Sequence, residues 1–438
     1  MSVQHLKPRL GRLALLLASV LLTWHAGAPA QPTPAPSAPP TAATPPAALD
    51  LATVQSAAHE HLSLRVAAQG LAAARAELRS ADRAPLPTLS AGVSSIDLQH
   101  GNGPGNLWNQ RLDKSLGLDW TLERGGKRQA RTEAARANAL AAQADVQDLT
   151  LQVLDDTGQR FYELLAAQAR VQLLQGLAQD SAELARVAEL RERAGDLSAQ
   201  DLARTRIEAQ RAVADVQAAQ AALAQARWAL AQAAGLRDAQ QTLQGRWPER
   251  QTWPAQLPQD WIDKQPALLA AQQRVLAAEQ QLSGALALRK ADPTLGASID
   301  HYPGTSSRLL ALRVSIPLQD ASYFDGEVLR AQAQLQQARE QAELVRQQLQ
   351  RQLQGLLDAL RAAETQRQTH VQQVLPPAQA VLRQAELAFA KGGLSLSDLL
   401  DARRTLKAAQ LDALAAELAH AQALVALQVR SRPESLNP

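Results

Sequence analysis

Lys391-Gly392-Gly393-Leu394-Ser395-Leu396-Ser397-Asp398-Leu399 repeats the pattern of Ala194-Gly195-Asp196-Leu197-Ser198-Ala199-Gln200-Asp201-Leu202. In both stretches a glycine follows a long helical run and can take the left-handed conformation that ends a helix. Ser198 precedes Asp201, and Ser395 precedes Asp398, by the spacing of a capping box. Leu197 with Leu202, and Leu394 with Leu399, have the spacing of a hydrophobic staple. Each stretch predicts a sharp reversal between two helices. A second echo lies upstream of each: Pro87-Thr88-Leu89-Ser90-Ala91 returns as Pro293-Thr294-Leu295-Gly296-Ala297. Both echoes are spaced by about 200 residues, enough for two copies of one α/β unit.

Around the reversals the helical pattern is long. One helix is expected from about 127 to 194 and a second from about 327 to 391, each spanning on the order of 100 Å. Pro376-Pro377 should bend the second. In it Leu335, Ala338, Ala342, Val345, Leu349, Leu353, Leu356 and Leu360 step by three or four, a coiled-coil seam. Shorter helices return over about 199–235 and 396–430. A helix over 49–83 precedes the first strands and one over about 266–290 precedes the second. Length alone suggests that the 266–290 helix extends the first return and that the N-terminal helix completes the second.

Between helices the period changes to two. Leu116, Leu118, Trp120 and Leu122 alternate with Gly117, Asp119 and Thr121. Leu295, Ala297 and Ile299 oppose Gly296, Ser298 and Asp300, and Leu310, Leu312, Val314 and Ile316 oppose Ala311, Arg313 and Ser315. Such alternation marks half-buried strands, and apolar-out, polar-in strands of this length suit a transmembrane barrel wall. The expected strands are 87–98, 115–123, 293–302 and 309–318. The first repeat is assigned to 49–244 and the second to 266–430. Residues 245–265, with Trp247, Trp253 and Trp261, form a linker packed outside the helical body, and 431–438 form a tail.

Residues 1–30 read as a cleaved secretory signal: Lys7, Arg9 and Arg12, then apolar Leu13 to Leu22, then Ala28-Pro29-Ala30. Residues 31–48 are a Pro/Ala-rich disordered leader. The chain has 45 basic and 42 acidic residues. The three bases of the signal account for the difference, so no net field exists to attract nucleic acid. There is no cysteine; disulfides, thiolate metal sites, cysteine nucleophiles and a lipid anchor on cysteine are excluded. No nucleophile–base pair, phosphate loop or zinc spacing appears, so neither an enzyme nor a cofactor is expected. His59-Glu60-His61 does not suit a metal, because histidines two apart on a helix face different ways.

Four strands cannot close a barrel in lipid, where every backbone group needs a partner. Three chains would supply about 12 strands, within the known range. At this point the residues resemble a family. Leu118-Asp119-Trp120-Thr121-Leu122-Glu123-Arg124-Gly125-Gly126-Lys127-Arg128 resembles the strand-to-helix junction of TolC-type outer-membrane efflux proteins. Ile316-Pro317-Leu318 with Gly326-Glu327 resembles its second copy, and Gly392 to Leu406 the second hairpin tip. The resemblance spans about 50–430. It implies a mainly α fold with β, built from two internal repeats: a homotrimer whose helical hairpins form a periplasmic α-barrel and whose strands complete a 12-stranded barrel in outer-membrane lipid of a Gram-negative bacterium. It implies an exit duct docked to a periplasmic adaptor (membrane fusion) protein and an inner-membrane RND-type transporter. Gly125-Gly126-Lys127-Arg128 and Arg193-Ala194-Gly195 with Ser198 are most similar to the CzcC-type branch, which serves divalent metal cations. Organic compounds or a type I secreted protein are the alternative cargo; a periplasmic coiled-coil adaptor or structural protein is the alternative class.

The resemblance places Asp398 and Asp401 as carboxylate rings at the duct entrance; locally, both are also explained as helix-capping and dipole residues. It makes Gly195, Leu197, Ser198, Gly392, Gly393, Leu394 and Ser395 adaptor-contact candidates, which capping also explains. Alternation puts Asp119, Asp300 and Arg313 in the lumen as solvated wall residues. Trp108 and Trp120 suit either a membrane interface or simple packing.

Overall fold

The structure, a computed structural model, describes residues 49–106, 110–237, 243–303, 306–318, 320 and 322–431. The expected signal, the leader, Trp108 and residues 432–438 of the tail lie outside the described residues.

Two short helices open the chain, α1 (Leu51–Ala58) and α2 (Leu62–Ala81), where one was expected. Asp50 caps α1 by accepting from Thr53 N at 2.8 Å, and His61 Nδ1 caps α2 by accepting from Ser63 N at 3.2 Å. The break has a packing cause. Val54 and Ala58 bury α1 in a core with Leu151, Leu154 and Phe161, whereas α2 runs along the next helix.

Strands β1 (Thr88–Ser94) and β2 (Asp113–Thr121) lead into α3 (Lys127–Arg193), which reverses into α4 (Ala199–Ala234). A segment containing α5 (Gln259–Asp263) then leads to α6 (Pro266–Ala287), β3 (Thr294–Tyr302), β4 (Ser306–Ser315) and α7 (Asp325–Arg367). The helix continues through a π-helical stretch, Gln368–Val374, into α8 (Leu375–Ala390), and reverses into α9 (Leu396–Ser431). The prolines act upstream of themselves. Lacking N–H groups, they leave carbonyls of the preceding turn unpaired by the usual ladder, and the chain widens over seven residues before they enter the first turn of α8.

α3 is 67 residues long, about 100 Å. Near the sheet its buried face is nearly all alanine, including Ala130, Ala134, Ala135 and Ala141, so α2 and α6 approach closely on its two flanks. Towards the tips α4 and α9 take those places, with α7 and α8 beyond. The seam of α7 is its inward face; Leu349, Leu353, Leu357 and Leu360 are buried there, Leu357 more deeply than Leu356. Each such leucine contributes about 1.5–3 kcal/mol.

The short helices are joined differently from the length argument. α4 ends at Gly235, where an added Cβ would lie 3.3 Å from His61 at the start of α2. α9 ends where Gln265 Nε2 donates to Arg430 O at 2.8 Å, at the start of α6. Each return helix is therefore continued by the first helix of its own repeat, not of the other. Length could not choose between the pairings; the shared flank of the long helix does.

The linker packs against the helical body through half-buried aromatics, with Trp247 stacked on Tyr162 at 6.2 Å and Trp253 edge-on to Trp261 at 6.0 Å. Leu243 and Ile262 are buried, and Leu49 bridges Leu243.

The sheet is wholly antiparallel in the order β1-β2-β3-β4. Gly125 fastens it to the helices. It has φ 77°, and a side chain there would meet the backbone of Ala287 at 3.2 Å. Beside it Arg124 N donates to Asp292 at 2.8 Å, Lys127 pairs with Asp292 at 2.8 Å, and Arg131 pairs with Glu123 at 2.9 Å. The Gly-Gly-Lys-Arg stretch thus binds the two repeats together at the strand–helix junction.

Candidate functional site

The two reversals share one geometry. At the first, Gly195 has φ 81°, its N–H donates to Glu192 O at 3.0 Å, and Asp196 N donates to Arg191 O at 2.8 Å. At the second, Gly392 has φ 77°, donates to Phe389 O at 3.1 Å, and Gly393 N donates to Ala388 O at 2.9 Å. These are paired bonds of a Schellman ending, and a side chain at either glycine would strain the left-handed backbone. Ser198 Oγ accepts from Asp201 N at 3.1 Å and Ser395 Oγ from Asp398 N at 3.2 Å. Gly195, Ser198, Gly392, Gly393 and Ser395 are exposed; Leu197 and Leu394 are half-buried, Leu394 against the cluster of Leu399, Ala385 and Phe389.

Asp398 and Asp401 are exposed one turn apart. The Asp398 carboxylate accepts from Ser395 Oγ at 2.6 Å. The Asp401 carbonyl accepts from Thr405 Oγ1 at 3.0 Å, while its carboxylate lies within the field of Arg404. The Arg404 guanidinium is held more firmly protonated chiefly by its hydrogen bond to Glu208, with Asp401 adding a smaller part. In the first copy Arg204 stands in place of Asp401, and its Nη1 donates to Ser397 Oγ at 3.1 Å.

That last contact belongs to a set the sequence reading missed. Arg404 pairs with Glu208 at 2.5 Å, and Lys407 pairs with Asp215. Arg403 donates to Asp180 O at 3.1 Å, and Arg191 lies 5.0 Å from the Phe389 ring centre. Together they lace the two hairpins over a leucine-lined cleft that includes Leu177, Leu184 and Leu382. Glu208 and Arg404, which stand at nearly the same distance from their tip glycines, were the available signal; Asp215 and Lys407 are offset by more than a turn.

On the sheet, register assigns the faces. Asp119 faces Gly296, which faces Arg313, so one line across three strands carries a carboxylate and a guanidinium with a gap between them. Asp119 fills that gap; a Cβ on Gly296 would collide with its Oδ1. Ser90 Oγ donates to Asp119 at 3.4 Å. Asp300 shares this face but is only 7 % exposed, accepting from Ser298 Oγ at 3.2 Å, and is not a solvated wall group in the chain. The other face is apolar and open, with Leu118 51 % and Trp120 54 % exposed. Among the described residues no helix is long and apolar enough to cross a membrane, and no cluster of three or more potential ligands could hold a metal.

Residues 53–236 match the family described as Outer membrane efflux protein. The chain is 30 % identical over 295 residues to the cobalt-zinc-cadmium resistance protein CzcC of Cupriavidus metallidurans, covering 66 % of this chain and 70 % of that one. Among solved structures, CusC superposes with a TM-score of 0.76 at 21 % identity, covering 92 % of this chain and 97 % of its own. The outer membrane protein VceC from Vibrio cholerae superposes with a TM-score of 0.72 at 20 % identity, covering 87 % and 96 %. The structural likenesses establish the fold.

Proposed function

The chain belongs to the outer membrane efflux protein family, a family of channels rather than enzymes, and we propose that it is the exit duct of a tripartite pump for divalent metal cations. The observation that carries this reading is the sheet. Four antiparallel strands present one open apolar face and leave the outer edges of β1 and β4 without a strand partner among the described residues. Such a sheet needs lipid on its face and further copies at its edges. Three copies give about 12 strands, with Asp119 and Arg313 inside. Family membership sets aside the coiled-coil adaptor.

In this reading the helical body reaches through the periplasm to an adaptor and an inner-membrane transporter, and energy comes from that transporter. Gly195, Ser198, Gly392, Gly393 and Ser395 offer exposed backbone and small side chains to the adaptor. Asp398 and Asp401 ring the entrance. The cation assignment is supported by the identity to a relative named for cobalt, zinc and cadmium resistance and by carboxylates at the entrance and in the barrel. The test is retention of zinc, cobalt and cadmium in cells lacking this chain, with and without its return on a plasmid. Returning it should lower retained cation. If retained cation stays constant while dyes or an exported protein respond, the cargo is the other class.

A further inference from the structure

Trp228 stands far from the sheet, on α4, and is 67 % exposed. The stripe by which α4 packs on α3 includes Ala226 and Leu230. At about 100° per residue, Trp228 lies about 160° round the helix from both. It therefore points away from α3, off the outer flank of α4, which otherwise touches α1. An indole left in water forgoes a large apolar burial, and tryptophan is the residue most typical of contact centres.

The opposite edge of the chain offers a hollow. On α7, Leu353 and Leu357 are buried inward. Gly355 is two residues from each and faces outward by the same geometry. A Cβ on Gly355 would meet nothing within 4 Å, so packing inside the chain does not require glycine there. Glycine within a helix costs stability unless something must approach closely. Here it lines a depression with Leu257 and Ile262 of the linker segment and with Arg351 and Asp358 of α7. Arg346 and Arg361 on the same helix pair with Asp263 and Asp358. Arg351 is exposed, has no ion pair among the described residues, and donates from Nε to Gln347 O at 3.2 Å. A partly apolar hollow with an unpaired guanidinium beside it suits an indole, whose ring face attracts a cation.

Trp228 and Gly355 stand at one level of the molecule. Leu230 on α4 and Val425 on α9 belong to one core cluster on α3, and the adjoining Leu424 packs with Leu357 on α7. Distance from the tips agrees: Trp228 is about 50 Å along its hairpin from Gly195, and Gly355 about 55 Å from Gly392. α3 and α9 lie between α4 and α7. Three helix spacings, on the order of 25 Å, therefore keep the two apart within one chain. In a ring of copies joined edge to edge they meet at every junction. We propose that Trp228 of each copy seats in the Gly355 hollow of the next copy, with Arg351 against the indole. The inference rests on the homotrimer of the proposed duct, and it adds a joint between the helical parts that is independent of the strands.

The test uses the full chain purified in detergent, with photoreactive benzoylphenylalanine in place of Trp228 to keep a large ring there. Illumination should join neighbouring copies, and the crosslinked peptide should fall within 347–361 or 257–262. Crosslinks confined to one chain, or to any other surface of the neighbour, overturn the proposal. A second measurement leaves assembly intact. The thiol of Gly355→Cys in the trimer should react with a maleimide polymer about tenfold or more slowly than in the same variant carrying Trp228→Ala. Equal rates overturn the contact. Size in detergent separates the two readings: trimers without the contact remove the joint alone, while monomers throughout remove the homotrimer and the joint with it.

Discussion

Asp398 and Asp401 are held differently, and that difference decides how they respond to substitution. Asp398 is tied to Ser395 at the helix start, while Asp401 is exposed and answers to Arg404. If three copies bring both residues to one mouth, six carboxylates repel one another, and a bound divalent cation relieves the repulsion and blocks the pore. Asp398→Asn with Asp401→Asn should weaken cation block in single-channel recordings with assembly intact. A purely capping role predicts unchanged block and a loss of stability below about 1 kcal/mol. A second residue, His420 on α9, is 2 % exposed, and its Nδ1 has no hydrogen-bond partner among the described residues. Burial, and then the Arg367 guanidinium paired with Glu417 at 2.8 Å, hold its imidazolium pKa below the usual 6.5; Glu417 and Glu364 oppose them. The unfolded chain therefore takes up the proton first. Its contribution to stability is complete above about pH 6.5 and falls as pH drops through the depressed value. Thermal unfolding between about pH 7.5 and pH 5 should show that loss, and His420→Gln should flatten it. An identical pH profile in the variant would assign the loss to other groups.

Strands were the most legible elements, because a period of two fixes which face each residue takes whatever the neighbours are. The paired reversals were legible for the same reason: glycine, serine and leucine act within about one helical turn of each other. What the sequence hid depends on partners far away in the chain. Arg404 and Glu208 are 196 residues apart, and nothing local marks either as paired. The break between α1 and α2 comes from where Val54 packs, not from any helix-breaking residue at 59–61. Prolines 376 and 377 announced an irregularity, but its form as a π-helical stretch depends on how the preceding carbonyls find donors. Strand orientation gives the sharpest element-level expectation. Leu118→Arg would set a cation on the apolar face and should cost about 2–4 kcal/mol near the middle of a bilayer, whereas Thr121→Arg on the polar face should cost far less. Urea unfolding of protein folded into vesicles measures both, and equal costs would reverse the assignment of the faces.

At the scale of the whole molecule the chain has two unlike edges. One carries β1, α2 and α4, the other β4, α7 and α8, since α3, α6 and α9 lie between them. Large apolar side chains stand exposed along both: Leu62, Val66 and Ile207 on the first, Leu329, Val381 and Leu387 on the second. Unlike edges cannot pair by a two-fold axis using one patch; they join head to tail, and such contacts must either close into a ring or run on as a filament. Lipid selects the ring, because an open strand edge in hydrocarbon leaves N–H and C=O groups unpaired. Three copies reach a strand number found in closed barrels. The absence of cysteine makes the prediction direct to test. Ala91→Cys on β1, combined in turn with Leu310→Cys, Leu312→Cys or Val314→Cys on β4, samples the unknown register between copies. One combination brings Cα atoms within the roughly 4.4–6.8 Å that a disulfide requires. Oxidation in detergent should then yield a covalent trimer, while each single-cysteine chain stays uncrosslinked because a residue on one edge never meets its own copy. A dimer from any single-cysteine chain would mean a two-fold interface, and a ladder beyond three would mean a ring of another size; either result would overturn the 12-stranded barrel.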